Sequence, residues 1–566
     1  MDISCYEQDR GFVLSNLRKG EVDFIDAANE VEECNFFRFI GARKYLQSLA
    51  ETYPSPRKKE EVPTWFYIAS NLSMRLHGAH SFKTYPYVVR CGGMLNAFGP
   101  QVAHKTAHPE SGDVTLSCAG FNGKNDYDRQ TPCDQDFLRK FSKDTEPERL
   151  ERWFNTDVAQ IFRQHKAFDR EGIFIGDASY IFVPDNENYE GSVKLLFGPD
   201  NHPINSEQIA KLAPEKAAQC EWRRCYKLVS LLHTDRERSF SLRVALRVVP
   251  GNTHECPTFY SLLDEFVLAV GPRVVKRLIL DRGFLDGEQI SHVKRDLDID
   301  VLIPLKKNMH LYSDAIGLLK LKEAKFQEFK SRKRDPIDPK RLPAVPEKIK
   351  KREEKRQETL QTKKLEATKN DPSPSSHEDL TKMESAAIFG FNSWESCTVP
   401  INLVINRDTY ADGHEKYWIL LDTKPLDGDQ AAVERRQEYS IRTEIEEGHR
   451  QLKCFWDLSK FTSRSFSLIL NQIVFVILAF NLLQLWLKSQ KKKNDPRKSR
   501  SRLLDRLLPT QAVIIVYYKN RFATFAALEY TEIILTLPLS AREKVLEKIR
   551  HLKNTLSEEL TLVRPA

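Results

Sequence analysis

One fifteen-residue stretch, YSIRTEIEEGHRQLK at 439–453, combines an aromatic side chain, several cations and a central acid at helical spacing. An α-helix turns by about 100° per residue, so five of its polar side chains share an arc roughly 80° wide. These five are Tyr439, Arg442, Glu446, Arg450 and Lys453. The apolar side chains of Ile441, Ile445 and Leu452 fall on the opposite arc and can pack on a core. Gly448 also lies on that apolar arc. Three cations around one carboxylate indicate a site that holds phosphate and a metal ion together.

Two aspartates occupy apolar surroundings that are predicted to be strands. Asp177 interrupts the run GIFIGDASYIFV at 172–183, and Asp281 ends the apolar part of RLILDRGF at 277–284. A carboxylate in an apolar strand is costly unless it is paired or binds a cation. Taken singly, each aspartate is more often a turn or cap residue. Together with Glu446, carboxylates at adjacent strand ends can share divalent metals through their oxygens.

The elements around these acids follow a recognisable order. Apolar and polar residues alternate over 225–235 and 239–251, as expected for an antiparallel pair of strands. The further predicted elements are a helix at 259–270, a strand at 277–284, a helix at 288–297 and a strand at 300–305. Three strands followed by alternating helix and strand is the order of an RNase H-like core.

The motifs resemble those of bacterial insertion-sequence transposases, the DDE enzymes with the Tyr-x2-Arg-x3-Glu-x6-Lys signature. All four signature positions are met, by Tyr439, Arg442, Glu446 and Lys453. The segments GDAS, VVPGNTHE, LILDRGF and VLIPLKKN also resemble the catalytic domain of these enzymes and occur in the same order. The resemblance covers about 170–306 and 395–485.

The resemblance implies specific roles for these residues. Asp177, Asp281 and Glu446 would be the catalytic carboxylates and would hold two Mg²⁺ or Mn²⁺ ions. Tyr439, Arg442 and Lys453 would contact DNA beside the scissile bond, and Arg450 would help although it lies outside the motif. The implied activity is metal-dependent cleavage at the ends of an insertion sequence, followed by strand transfer to target DNA.

The predicted fold class is α/β, with an RNase H-like core of a mixed sheet and flanking helices. A mainly helical DNA-binding domain is expected at 1–150 and the first part of the catalytic domain at 165–307. An insertion at 308–430 begins as a charged helical or disordered segment and ends in a β-hairpin. The closing helices of the catalytic domain follow at 431–488, and a basic linker with a small helical tail at 489–566.

Composition supports a protein that binds a polyanion. The net charge is +8, and residues 330–369 alone hold 15 Lys and Arg against 7 Asp and Glu. A second basic run extends from Lys488 to Arg502. Such runs are typical of nucleic-acid contacts, although they also occur as solubilising linkers. The ten cysteines include no Cys-x2-Cys pair, which argues against a zinc site and favours reduced thiols in a cytosolic protein.

Three alternatives to a transposase stay open from sequence alone. An RNase H-like DNA nuclease would cut without strand transfer, and a domesticated DNA-binding protein would no longer cut. The apolar run at 466–487 has the length of a membrane span, but Asn471, Gln472, Asn481 and Gln484 interrupt it and favour a buried helix. The expected partners are double-stranded DNA, both terminal inverted repeats and target, and a second copy of the chain, with no membrane. The expected location is the bacterial cytoplasm, associated with the nucleoid.

Overall fold

The structure is a computed structural model that describes most of the chain. The described residues are 7–28, 31–60, 62–85, 88, 94–98, 104–107, 114–117, 133–198, 202–210, 212, 214–321, 325–329, 380–391, 394–428, 430–490, 513–519 and 521–546. The lysine-rich segment 330–369 and most of the basic run after Lys488 lie outside them. The predictions for those segments are therefore not addressed by the structure.

The chain alternates between helices and strands and divides into two compact units. The first unit comprises 1–284, 297–299 and 442–566, and the second comprises 285–296 and 300–441. The strands are β1 Glu7–Gln8, β2 Phe24–Ala28, β3 His104–Ala107, β4 Val114–Ser117, β5 Ile173–Val183, β6 Val193–Phe197, β7 Glu221–Thr234, β8 Leu242–Pro250, β9 Arg277–Ile279, β10 Asp300–Pro304, β11 Gln327–Glu328, β12 Leu380–Phe391, β13 Ile401–Tyr410, β14 Glu415–Asp422, β15 Val513–Tyr518 and β16 Arg521–Ala526. The α-helices are α1 Arg10–Leu17, α2 Val31–Ala42, α3 Tyr45–Thr52, α4 Thr64–Leu76, α5 Met94–Phe98, α6 Gln135–Asp144, α7 Pro147–Trp153, α8 Ala159–Gln164, α9 Ser206–Ile209, α10 Pro214–Ala217, α11 Glu255–Val270, α12 Gly287–Arg295, α13 His310–Leu321, α14 Gln430–Tyr439, α15 Thr443–Phe455, α16 Phe466–Ser489 and α17 Ala527–Leu535. The prediction of a mixed α/β fold is confirmed.

The main sheet of the first unit is built on β5 and β7. β5 pairs antiparallel with β7, and β9 lies parallel to β5 on its other side. β8 and β6 both pair antiparallel with β7, which confirms the antiparallel pair predicted from the alternating pattern. A bulge interrupts the β7–β8 register between Leu231 and Leu232. Most residues of β7 and β8 are buried on both faces, so these strands lie in the core of the first unit.

Two buried asparagines bond to the backbone of β8. Asn481 of α16 accepts from the Arg243 amide at 2.8 Å and donates to the Arg243 carbonyl at 2.6 Å. Asn155 makes the same two bonds with Leu246, at 2.9 and 3.0 Å. Asn155 belongs to a single π-helical turn, Phe154–Val158, between α7 and α8. These side chains satisfy backbone groups that would otherwise be buried without partners.

Helix α16 is the apolar run that resembles a membrane span. Among the described residues it is the one helix long and apolar enough to cross a membrane, and 83% of its most apolar window is buried within the protein. Its polar residues have specific partners: Asn471 donates to the Tyr67 hydroxyl at 2.9 Å, and Gln472 donates to the Lys460 carbonyl at 3.1 Å. These contacts are those of a core helix.

The two ends of the chain form a separate small sheet in the first unit. Its strand order is β1-β16-β15-β2, and its apolar core includes Val13, Leu17, Val516 and Phe525. The tail was predicted to be helical, but its described part begins with the hairpin β15–β16. The apolar run Val513–Tyr518 is strand β15, and its residues Ile514 and Val516 belong to this small core.

The second unit contains the predicted β-hairpin. β13 and β14 pair antiparallel with Ile405 opposite Ile419, and β12 and β10 pair with their outer edges. Helix α14 contributes Arg435, whose Nε donates to the buried Asp422 carboxylate at 2.6 Å. The predicted β-hairpin is confirmed, and its description as the end of an insertion stays a prediction.

Candidate active site

Asp177 and Asp281 lie on neighbouring parallel strands. Asp177 is in the middle of β5, and Asp281 follows the end of β9 by two residues. Ile175 is opposite Ile279 at the last paired position, and each aspartate follows that position by two residues. The sequence predicted an adjacent pair of strand aspartates, and the pairing of β5 with β9 brings them together.

Close packing fixes the strand just before Asp177. A Cβ on Gly176 would lie 2.3 Å from Phe259 Cζ and 2.7 Å from Leu280 Cδ2. Helix α11 therefore rests directly on the backbone of β5, and no larger residue fits there without movement. This contact holds the position of Asp177 relative to the sheet.

Arg442 connects the other two predicted carboxylates. Its Nη1 lies 2.6 Å from Glu446 Oε1, and its Nη2 lies 3.4 Å from Asp281 Oδ2. The exposed fraction of the side chains rises from 16% for Asp177 to 36% for Asp281 and 55% for Glu446. Of the three carboxylates, Asp177 in the sheet is therefore the most buried and Glu446 on the helix is the most exposed to solvent.

Asp177 is held in its charged form. Burial alone would raise the pKa of Asp177, but the neighbouring His449 and the positive charge of Arg442 outweigh burial and lower it. The Ala178 amide also donates to Asp177 Oδ1 at 2.8 Å. Asp177 is consequently ionised at neutral pH.

The three carboxylates fit a hard divalent cation by donor type, because Mg²⁺ and Mn²⁺ prefer oxygen ligands. In the described part of the chain, no three His, Cys, Asp or Glu side chains form a group that could hold a metal ion. The cation beside Asp281 and Glu446 in this structure is the Arg442 guanidinium. A metal ion bound by all three acids would compete with Arg442 for two of them.

Lys453 lies next to the same strand. Its Nζ donates to Ser179 Oγ at 2.6 Å, two residues beyond Asp177 on β5. Burial lowers the pKa of Lys453, the charge of Arg243 lowers it further, and Asp177 opposes both. The cation is therefore positioned close to the candidate catalytic aspartate.

The prediction of one continuous helix over 439–453 is wrong. Tyr439 is the last residue of α14, a 3₁₀ turn covers Ser440–Arg442, and α15 begins at Thr443. The Tyr439 ring lies 6.1 Å from the Trp418 ring. An angular calculation that assumes one helix does not apply across this break. From Arg442 onward the predicted apolar arc is confirmed, since Ile445, Gly448 and Leu452 are buried.

Two charged neighbours of Glu446 differ from expectation. Arg450 makes two hydrogen bonds with Glu447, at 2.6 and 2.7 Å, and its guanidinium lies over the Phe455 ring. Its charge is therefore paired on the helix surface and is not among the contacts of the three acids. Glutamate side chains are usually exposed to solvent, but Glu444 is buried, 3.9 Å from Arg238 Nε.

Sequence reasoning missed two residues that lie behind Asp177. His449 Nε2 is 3.6 Å from Asp177 Oδ2, and His449 Nδ1 is 3.1 Å from Arg243 Nη2. Burial lowers the pKa of His449 to about 4, and Arg243 acts in the same direction. A signal was present in both cases: Arg243 is a charge inside an apolar strand, and His449 follows Glu446 by one helical turn.

Comparison with known proteins identifies the family to which the chain belongs. A model of the transposase DDE domain matches residues 172–482, more than half of the chain. The chain belongs to the transposase DDE domain family. The match extends from β5 to α16 and so includes all three candidate carboxylates.

Other comparisons of this transposase are weaker. A cryo-EM structure of the piggyBac transposase synaptic complex with hairpin DNA is similar over 74% of this chain and 68% of that chain. The identity is 12% and the TM-score is 0.32, which is too low to support an argument from that structure. No curated protein matches the sequence. The expectation of a transposase is confirmed, and the narrower group with the Tyr-x2-Arg-x3-Glu-x6-Lys signature stays a prediction.

Proposed function

We propose that this transposase cuts DNA at the ends of an insertion sequence and transfers the cut strands to target DNA. The observation that carries the proposal is the meeting of Asp281, Glu446 and Arg442 beside Asp177, from separate elements of one unit. Membership of the DDE family supports the same reading. The order β8-β7-β5-β9, with β9 parallel to β5, supports an RNase H-like core for this reaction.

Asp177, Asp281 and Glu446 would hold two Mg²⁺ or Mn²⁺ ions. Bound there, such ions would supply charge neutralisation for the attacking and leaving oxygens of a phosphodiester. Phosphoryl transfer otherwise depends on positioning and electrostatics, with no covalent bond to the enzyme required. The sheet and α11 provide that positioning because they fix the backbone of Asp177.

Arg442 and Lys453 are proposed to contact DNA phosphates near the cut. Arg442 would leave the acids when metal ions bind them, and its guanidinium would then be available to a phosphate oxygen. Lys453 is already anchored beside β5 through Ser179. Tyr439 is proposed to contact the same DNA strand, and Arg450 is a weaker candidate because Glu447 neutralises it.

The remaining parts of the proposal concern partners and place. Residues 1–150 would bind the terminal repeats, and two copies of the chain would act together because two ends must be cut. The protein would act in the bacterial cytoplasm at the nucleoid. If a fragment of residues 1–150 bound terminal-repeat and random DNA equally well at the same salt, it would contradict the proposal that this segment recognises the terminal repeats.

The deciding experiment compares Glu446→Gln with Glu447→Gln. The glutamine at 446 keeps size and hydrogen bonding but removes the charge that a hard cation needs, so cleavage and joining of element-end DNA should be lost while binding in a gel shift persists. Glu447→Gln removes a partly exposed charge one residue away and should retain most activity. Excess chelator should stop the wild-type enzyme.

Two results would overturn this assignment. Normal cleavage by Glu446→Gln would remove the third carboxylate, and loss of cleavage only in Glu447→Gln would shift the catalytic residue by one position. Glu444→Gln is unsuitable as a second control because Glu444 is buried, so its loss would affect folding.

A further inference from the structure

A buried line of polar groups runs behind Asp177. Arg243, fully buried on β8, donates from Nε to Ser230 Oγ at 3.0 Å and from Nη2 to His449 Nδ1 at 3.1 Å. Ser230 is directly opposite Asp177 in the β5–β7 register. His449 Nε2 lies 3.6 Å from Asp177 Oδ2, which is longer than an ordinary hydrogen bond. Two strands and one helix thus contribute to a single line that ends at the candidate catalytic carboxylate.

The direction of this line follows from donor and acceptor chemistry. A guanidinium carries only N–H donors and cannot accept a hydrogen bond. The Arg243 contact therefore requires His449 Nδ1 to be unprotonated. The ring proton of a neutral His449 then lies on Nε2, on the side of Asp177. In the described part of the chain, Nε2 has no closer hydrogen-bond partner.

The surrounding structure is shaped to keep Arg243 in place. Helix α15 passes it at Gly448, where a Cβ would lie 3.3 Å from Leu232 and 3.7 Å from Arg243 Nη2. Asn481 fixes the backbone of Arg243 through two hydrogen bonds. Among the described residues, Arg243 Nη1 is buried without a hydrogen-bond partner. A buried N–H without a partner is destabilising, so packing alone does not explain an arginine at this position.

We propose that Arg243 and His449 are positioning residues for Asp177. Arg243 fixes the tautomer of His449, and His449 directs its Nε2–H to Asp177 Oδ2 while the Ala178 amide holds Oδ1. The carboxylate is thereby kept in one orientation, as is typical of groups that stand behind metal ligands. This inference rests on the proposed role of Asp177 as a ligand, but the tautomer can be measured without it.

The first test reads the tautomer directly. Full-length protein labelled with ¹⁵N-histidine should show His449 with the proton on Nε2 at neutral pH, its signal being identified by its absence in His449→Gln. Arg243→Met should convert this signal to a mixture of tautomers, because the donor to Nδ1 is gone. A wild-type His449 protonated on Nδ1 would overturn the proposal.

The second test uses Mn²⁺ alone as the probe and calorimetry as the readout. His449→Gln retains an N–H donor near the Nε2 position and should bind Mn²⁺ within a few-fold of wild type, whereas His449→Leu should weaken binding about 10- to 100-fold. Urea unfolding of both variants controls for loss of the fold. Equal Mn²⁺ affinity in the wild type and a folded His449→Leu would overturn the positioning role. If the wild type binds no Mn²⁺, the metal site of the proposed function fails, and the tautomer measurement still decides the Arg243–His449 contact.

Discussion

Replacing Asn481 by Leu should destabilise the first unit by about 4 kcal/mol. Leucine has the same branch point and the same number of side-chain heavy atoms as asparagine, but its methyl groups are larger than the amide oxygen and nitrogen, so a modest overpacking cost adds to the effect. The two hydrogen bonds to the Arg243 backbone, at 2.8 and 2.6 Å, are lost. Asn481 is fully buried, so water cannot replace them. Each buried backbone group left unpaired costs about 1–3 kcal/mol, and two of them give about 2–6 kcal/mol.

Urea unfolding and hydrogen exchange measure this effect at two levels. The unfolding midpoint should fall at constant m-value, and the Arg243 amide, followed in a peptide over 242–250, should exchange faster. Asn155→Leu is the matched control, because it removes the same pair of bonds from Leu246 on the same strand. Both variants should lose similar stability. Only in Asn481→Leu should the Arg243 amide lose protection from hydrogen exchange. A loss below about 1 kcal/mol in Asn481→Leu would refute the reasoning, because it would mean that the β8 backbone does not need this partner.

Three further outcomes test other parts of the structure. Burial lowers the pKa of His233 from 6.5 to about 4, because the buried ring disfavours the charged form. The contribution of His233 to the free energy of unfolding should therefore be fully present above pH 6.5 and fall by about 3 kcal/mol as the pH approaches 4. An unchanged pH profile of the urea midpoints in His233→Gln would contradict this. Gly176→Ala should cost about 1–3 kcal/mol by overpacking, and Phe259→Leu should recover part of the loss in thermal melts, whereas additive effects would argue against the contact. Arg435→Met should cost about 3–5 kcal/mol because the buried Asp422 loses its ion pair with Arg435, and adding Asp422→Asn should restore most of the melting temperature; no recovery in the double variant would contradict this.

Strand and helix positions were predictable because burial patterns repeat with a fixed period. The alternating runs at 225–235 and 239–251 became β7 and β8, and the hairpin of the second unit was found at the expected place. The break at Ser440–Arg442 was not predictable, because neither proline nor glycine marks it and each residue there is compatible with an α-helix. Its consequence is that Tyr439 and Glu446 do not share one helical surface.

The burial of Glu444 shows where an angular argument fails within a helix. Glu444 precedes Gly448 by four residues, so the two lie on the same face of α15. Gly448 had been placed on the apolar arc, and the structure packs it against Leu232 and Arg243. The burial of Glu444 follows from that placement, although the polarity of a glutamate by itself favours a solvent-exposed position. Geometry therefore predicts burial better than polarity when a charged partner such as Arg238 is available.

The hydropathy of α16 and the chemistry of Asp177 turn out to be connected. A run as apolar as 466–487 is ambiguous between a membrane span and a core helix, and its few polar residues decide between them. Asn481 is one of these, and it bonds to the backbone of Arg243, whose guanidinium contacts His449 beside Asp177. In a lipid-facing helix such a side chain would lack hydrogen-bond partners, whereas in a core helix it can bond to the backbone of the edge strand β8. The polar residue that interrupts the apolar run is thus part of the support for the carboxylate, and Asn481→Leu should weaken Mn²⁺ binding while Asn155→Leu should not.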